Sequence, residues 1–115
     1  MEISNTEIRI FDIRMFNLFE NNKLELQRLC EKYDIKTMYV FGSATTYEFN
    51  DASDIDILIS FKEIPFDKYT DNYFELHEKL EKLFNRRVDL LTERSLSNPY
   101  FIESVEQTKR LLYAA

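Results

Sequence analysis

The stretch of sequence that decides the fold spans residues 37–61 and reads TMYVFGSATTYEFNDASDIDILISF. Residues 37–41 are β-branched, aromatic or apolar and stop at Gly42-Ser43, which predicts a buried strand that ends in a turn. Residues 54–61 predict a second strand, because strand side chains alternate between two faces. One face of that strand is apolar, whereas the other begins with two acids, Asp54 and Asp56.

Helical and strand patterns continue on both sides of this stretch. Residues 22–33 and 69–85 repeat apolar side chains at helical spacing, residues 87–91 form a third short strand, and Asn98-Pro99 begin a last helix. We expect the buried face of that last helix to carry Phe101, Val105, Thr108 and Leu112. The order helix, strand, strand, helix, strand, helix predicts an α/β or α+β fold, in which helices flank a small mixed sheet.

The length of 115 residues allows one compact domain over residues 1–115, within which residues 1–17 stay unassigned. No apolar run reaches the roughly 20 residues of a membrane span, and the N-terminus does not resemble an export signal. We therefore expect a soluble, cytoplasmic protein with no membrane partner. The single cysteine, Cys30, is expected to pack in the core.

The charge balance bears on partners. The chain has 15 Lys and Arg against 21 Asp and Glu, a formal net charge of −6. Proteins that bind nucleic acid directly usually offer phosphates a cationic surface, so we expect no direct nucleic-acid binding. Basic proteins and metal-complexed ligands are the better candidates, and the oligomeric state stays open.

Asp54 and Asp56 suggest a metal site. Their Cα atoms lie about 6.5–7 Å apart on one face of a strand. Two carboxylates at so short a distance repel each other unless a counter-charge lies nearby. Residues 38–61 contain no Lys or Arg. An outside cation is therefore expected, and all-oxygen ligands favour Mg²⁺ or Mn²⁺.

The protein has one glycine, Gly42, and it stands where the first strand ends. Glycine permits positive φ and close backbone approach, so the turn can aim backbone N–H groups and the Ser43 hydroxyl at a phosphate. A third acid, Asp89, lies on the third strand. If that strand lies beside the second, Asp89 can face the same site and either bind metal or accept a proton from an attacking hydroxyl.

The spacing of Gly42-Ser43, ten residues and then Asp54-Ile55-Asp56 resembles the motif of the DNA polymerase β-like nucleotidyltransferase superfamily. The short chain and the run from Ser53 to Leu58 look similar to minimal nucleotidyltransferase (MNT) domains. The resemblance implies a nucleotidyltransferase fold that binds Mg²⁺-ATP. It implies that Ser43 holds the triphosphate, that Asp54 and Asp56 bind metal, and that Asp89 is the third acid.

The resemblance also implies a partner. Many such domains are antitoxins of a HEPN-domain ribonuclease toxin, and some silence the toxin by transferring AMP to a toxin tyrosine. Two alternatives stay open: an antitoxin that acts by binding alone, and an adenylyltransferase that modifies an antibiotic.

The sequence departs from the family pattern after Gly42-Ser43. Many relatives place an arginine and a second glycine there, whereas residues 44–47 read ATTY. The missing positive charge could come from a partner or from one of four side chains of this chain, namely Lys62, Arg86, Arg87 or Arg94.

Overall fold

A computed structural model describes residues 17–45, 50 and 52–115, without the side chains of residues 43 and 44. The unassigned N-terminal segment therefore lies outside the described residues, apart from Asn17. The elements that follow, in chain order, are α1 (Lys23–Lys32), β1 (Ile35–Phe41), a 3-10 turn (Gly42–Thr45), β2 (Ile55–Phe61), α2 (Phe66–Phe84), β3 (Val88–Thr92), a second 3-10 turn (Glu93–Ser95), α3 (Pro99–Thr108) and β4 (Arg110–Ala114).

Within these described ranges, four strands form one mixed sheet in the order β3-β2-β1-β4. β1 pairs antiparallel with β2 and with β4, while β2 and β3 are parallel. The parallel pair is joined through α2, as a crossover between parallel strands requires. The expected mixed sheet flanked by helices is confirmed.

One face of the sheet packs on α1 and α2. Ile55, Ile57 and Ile59 of β2 are fully buried there. The helical spacing of α1 is confirmed, because its predicted apolar face is buried in the same core together with the side chain of Cys30. Burial of these aliphatic side chains away from water is the main favourable contribution to folding.

The other face carries a smaller apolar cluster of Phe41, Leu58 and Val105. Val105 belongs to α3, so this helix covers part of the sheet face to which Leu58 points. Since side chains two residues apart on a strand share a face, Asp56 lies on the same side as Leu58. We call this side, marked by Phe41, Asp56 and Leu58, the aspartate face.

The chain end differs from the sequence prediction. α3 begins as expected, with the Asn98 side chain accepting hydrogen bonds from the backbone N–H groups of Tyr100 and Phe101. It ends at Thr108, because Lys109 leaves the helical region at φ −65° and ψ 143°. The prediction that Leu112 continues the helical face is wrong. Leu112 lies on β4, the strand that pairs with the free side of β1.

Within the described residues, no helix combines the length and the apolar character that crossing a membrane requires.

Candidate active site

Asp56 lies in the middle of the sheet. Its Cα is paired with that of Phe41 on β1 and with that of Asp89 on β3. The condition set by the sequence, that the third strand lie beside the second, is therefore met. The register brings the Asp56 and Asp89 side chains onto one face, one strand apart. Asp54 precedes β2 by one residue and is exposed.

Gly42 follows Phe41 and lies against Asp56. Its φ is +68°, in the left-handed region that glycine adopts readily. A β-carbon built on Gly42 would stand 2.5 Å from Oδ2 of Asp56. Both the backbone conformation and the nearby Asp56 carboxylate therefore favour glycine here, since a β-carbon would have to displace that carboxylate. The 3-10 turn that begins at this residue agrees with the expected turn.

The strand that carries Asp89 is an edge of the sheet, and α2 covers that edge with polar side chains. Tyr73 donates its hydroxyl to the Leu90 carbonyl at 2.5 Å, and His77 Nε2 donates to the Val88 carbonyl at 2.7 Å. Glu81 accepts the Val88 N–H at 2.9 Å. These contacts, which occupy backbone groups pointing away from β2, hold β3 beside β2. His77 thus packs against the edge of β3 through this contact.

The electrostatics of Asp56 are those of a half-buried acid among acids. Burial above all, together with the negative charges of Asp89 and Asp54, raises the pKa of the Asp56 carboxyl to about 6. All the named charges that act on it have the same sign. A cation placed here would reverse that shift and relieve the repulsion.

The residues present fit a hard divalent ion in their chemistry, because the donors are carboxylate oxygens. Yet among the described residues no three acidic, histidine or cysteine side chains stand as a ready metal cluster. Asp54, Asp56 and Asp89 would therefore supply only part of an ion's ligands, and water or substrate oxygens would supply the rest.

The loop between the two motif halves is partly described. Arg86, which precedes β3, donates from Nη1 to the carbonyls of Asn50 and Ser53 at 2.7 and 2.9 Å. This arginine thus holds the segment that leads into Asp54. The side chain of Ser43, proposed from the sequence to hold phosphate, lies outside the described residues.

The other three predicted cations divide between the two ends of the sheet. Arg87 immediately precedes β3, at the aspartate end, and its carbonyl accepts the Ile55 N–H at 3.0 Å. Lys62 and Arg94 line a cavity of about 340 Å³ at the opposite end of β2, beside Ser60 and Tyr69. That cavity is remote from the aspartates and forms no part of the candidate site.

The sequence missed one residue of the site. Thr108, the last residue of α3, accepts the backbone N–H of Gly42 at its Oγ1 at 3.1 Å. The sequence placed Thr108 on a buried helical face, but no pattern signals a contact with a residue 66 positions earlier in the chain.

Comparisons with known proteins agree with this geometry. The family model described as polymerase beta, nucleotidyltransferase matches residues 24–115. MJ1379 of Methanocaldococcus jannaschii, provisionally named a protein adenylyltransferase, is 40% identical over 79 residues, which cover 69% of this chain and 78% of MJ1379.

Two solved structures share the fold. One, described provisionally as a minimal nucleotidyltransferase, has a TM-score of 0.65 at 28% identity and covers 79% of this chain and 89% of that one. The other is a tri-AMPylated Shewanella oneidensis HEPN toxin in complex with an MNT antitoxin, with a TM-score of 0.59 at 22% identity, covering 84% and 73%. At that identity the second likeness shows the fold alone. The extent of the family match and the identity with MJ1379 confirm the resemblance carried by the Gly-Ser and Asp-Ile-Asp motif, and the chain belongs to the polymerase beta nucleotidyltransferase family.

Proposed function

We propose that this nucleotidyltransferase transfers AMP from ATP to a tyrosine hydroxyl of a HEPN-domain toxin and so acts as the antitoxin. A relative named as a protein adenylyltransferase and a fold neighbour complexed with an AMPylated HEPN toxin support this assignment. The observation that carries it is the pairing of Asp56 with Asp89 on the aspartate face, directly against Gly42.

In the proposed reaction the acceptor oxygen forms a bond to the α-phosphorus of ATP. The bond from that phosphorus to the oxygen bridging to the β-phosphate breaks, and pyrophosphate leaves. Asp89, exposed at the sheet edge, takes the proton of the acceptor hydroxyl. The turn at Gly42 and Ser43 orients the β- and γ-phosphates, which places the reacting atoms in line.

Asp54 and Asp56 are the residues proposed to hold Mg²⁺ or Mn²⁺, with Asp89 as the third acid. A bound divalent ion would neutralise charge on the triphosphate and on the attacking oxygen. Asp56 is suited to such a ligand role because it is half-buried and the neighbouring charges that raise its pKa, those of Asp89 and Asp54, are both negative.

One observation favours a second function, an antitoxin that neutralises its partner by binding alone. Residues 44–47 hold neither the arginine nor the glycine of many relatives, Arg86 is engaged by the Asn50 and Ser53 carbonyls, and Lys62 and Arg94 lie at the far end of the sheet. Of the four cations named from the sequence, Arg87 remains a candidate for contacting phosphate at the aspartate end.

The test incubates the chain with Mg²⁺, ATP labelled at the α-phosphate and a HEPN-domain protein encoded beside it. We expect label on a toxin tyrosine with the wild type, and a loss of at least about 100-fold with Asp56→Asn or Asp89→Asn. Asp71→Asn, a change of an exposed acid on α2, is the matched control and should leave transfer unchanged. Toxin neutralisation with no label on the toxin, equal in wild type and Asp56→Asn, would favour the binding function.

A further inference from the structure

We infer that Thr108 is a positioning residue of the nucleotide site, which holds the Gly42 turn in the conformation that receives phosphate. This inference rests on the proposed function of that turn. Thr108 does not itself belong to the Gly-Ser or aspartate motif. It reaches the site through one hydrogen bond, from the Gly42 N–H to Oγ1 of Thr108 at 3.1 Å.

The hydroxyl of Thr108 is oriented for this contact by its own helix. Its proton is directed to the Ser104 carbonyl at 3.0 Å, so that an oxygen lone pair is left to accept the Gly42 N–H. The neighbouring Val105 is buried between β1 and β2 side chains, which fixes this end of α3 against the sheet. The helix then stops at Thr108, and β4 leads away along β1.

Gly42 is held on its other side as well. Oγ1 of Thr45 donates to the Gly42 carbonyl at 2.8 Å. Two threonine hydroxyls therefore hold both backbone polar groups of the glycine, one from within the turn and one from α3. The Asp56 carboxylate fills the space where a β-carbon would stand, so the turn is enclosed on three sides.

Thr108 matters for binding because Gly42 has a positive φ and Thr108 supplies the acceptor for its backbone N–H. Without the Thr108 acceptor, a partly buried N–H would lose its partner, and the turn would relax toward water to recover a hydrogen bond. Phosphate contacts made by the following residues would then be lost in part. The loss should appear in nucleotide affinity rather than in the chemical step, since the reacting carboxylates stay on β2 and β3.

The single glycine gives a direct probe. Labelling with ¹⁵N-glycine yields one backbone amide signal, that of Gly42, and this signal reports both its hydrogen bond and its response to Mg²⁺-ATP. Thr108→Val keeps the shape of the side chain and removes the acceptor, whereas Thr108→Ser keeps the acceptor. Thr70→Val is the matched control, because within the described ranges the Thr70 hydroxyl bonds only to the Phe66 carbonyl of its own helix.

We expect the Gly42 amide to exchange with solvent about tenfold faster in Thr108→Val, with wild-type rates in Thr108→Ser and Thr70→Val. The dissociation constant for Mg²⁺-ATP, read from the Gly42 shift, should rise about 3- to 10-fold in Thr108→Val only, the equivalent of one net hydrogen bond. Circular dichroism checks that the variant folds. Thr108→Ala replaces it if it does not, with the same expected changes.

Unchanged amide exchange and unchanged affinity in the valine or alanine variant would overturn the inference, as would faster exchange in the serine variant equal to that in valine. Faster exchange without loss of affinity would also overturn it, because Thr108 would then be structural only. If Mg²⁺-ATP leaves the wild-type Gly42 signal unmoved, the proposed function itself fails, whereas the exchange rates still report the Thr108 contact.

Discussion

Gly42 lies so close to the Asp56 carboxylate that a β-carbon on residue 42 would stand 2.5 Å from Oδ2 of Asp56, closer than non-bonded atoms normally approach. The glycine also has φ +68°, which an alanine adopts only with strain. We therefore expect Gly42→Ala to displace the Asp56 carboxylate, to destabilise the fold by about 1–3 kcal/mol and to abolish Mg²⁺-ATP binding in a calorimetric titration.

Asn85 provides the control for this variant. It also has positive φ, 51°, at the C-terminus of α2, but it is exposed and lies outside the site. Asn85→Ala should cost about 1 kcal/mol in urea unfolding and leave nucleotide binding intact. Wild-type binding by Gly42→Ala would show that the close contact does not shape the site.

We expect the ionised Asp56 carboxylate to lower the free energy of unfolding, although AMP transfer requires it. Its pKa of about 6 lies above the ordinary value of 3.8, so the folded state holds the proton more tightly than the unfolded state, and ionisation as the pH rises through about 6 weakens folding. In buffer with EDTA at pH 7–8 we expect Asp56→Asn to unfold at higher urea than wild type. The expected gain is about 1–2 kcal/mol after allowance for solvent screening.

This gain should vanish near pH 4, where the wild-type carboxyl is protonated in the folded state. The same variant should lose AMP transfer, so that stability rises while activity falls. A variant no more stable than wild type at pH 8 would contradict the picture of a repelled, half-buried carboxylate.

Much of this site was predictable because strand alternation and a spaced motif are local patterns. The alternation of residues 54–61 placed Asp54 and Asp56 on one face, and the break at Gly42 located the turn. The pairing of β3 with β2, by contrast, could not be predicted from the sequence and entered only as a condition for Asp89 to face the site. It depends on α2 side chains that reach the edge of β3, and single-sequence patterns do not encode such contacts between elements.

The error at the chain end has a definite cause. Leu112 falls four residues after Thr108, as on a helix, and nothing in residues 109–114 resembles a breaker. Tertiary pairing decided the outcome: β1 has a free side, and residues 110–114 satisfy its backbone groups. The Thr108 contact with Gly42 was hidden for the same reason, because it exists only once α3 stops and β4 pairs.

Arg87 and Lys62 lie at opposite ends of the sheet, so that substituting each one tests whether position or net charge matters for nucleotide binding. Both are exposed, and neither forms an ion pair with the rest of the described chain. Arg87 adjoins the aspartates through β3, whereas Lys62 lines the distant cavity. We expect Arg87→Ala to raise the dissociation constant for Mg²⁺-ATP about 3- to 10-fold, with a weaker salt dependence, and Lys62→Ala to change neither. Equal effects of the two variants would show that only net charge matters.

Asp34 should make stability fall in acid. The hydrogen bond from Lys68, at 3.0 Å, and that from Asn72 lower the pKa of its carboxyl. A lowered folded-state pKa stabilises the fold above the unfolded value near 3.9, and this contribution is lost as pH falls through the folded value. Asp34→Asn keeps a residue that tolerates φ 59° and removes only the charge.

At pH 7 Asp34→Asn should cost about 0.5–1 kcal/mol in urea unfolding, and the difference from wild type should close below pH 3. Glu25→Gln, which breaks the exposed pair with Arg28, should cost less at pH 7. A difference that persists at pH 2.5 would mean that the asparagine disturbs the backbone rather than the charge.

The hydroxyl of Tyr73 should support the position of Asp89 from outside the sheet. It donates to the Leu90 carbonyl, one residue beyond Asp89, on the edge of β3 that has no neighbouring strand among the described residues. Tyr73→Phe leaves the ring contacts and removes this bond, so we expect a loss of about 1 kcal/mol in urea unfolding and faster amide exchange along β3. Tyr33→Phe, which removes a longer bond of 3.4 Å to Glu75, should lose less. Because Asp89 is held by its strand and by no side-chain hydrogen bond within the described part of the chain, loosening β3 should also slow AMP transfer without weakening Mg²⁺-ATP binding. Equal stability and transfer in Tyr73→Phe and wild type would mean that pairing with β2 alone keeps Asp89 in place.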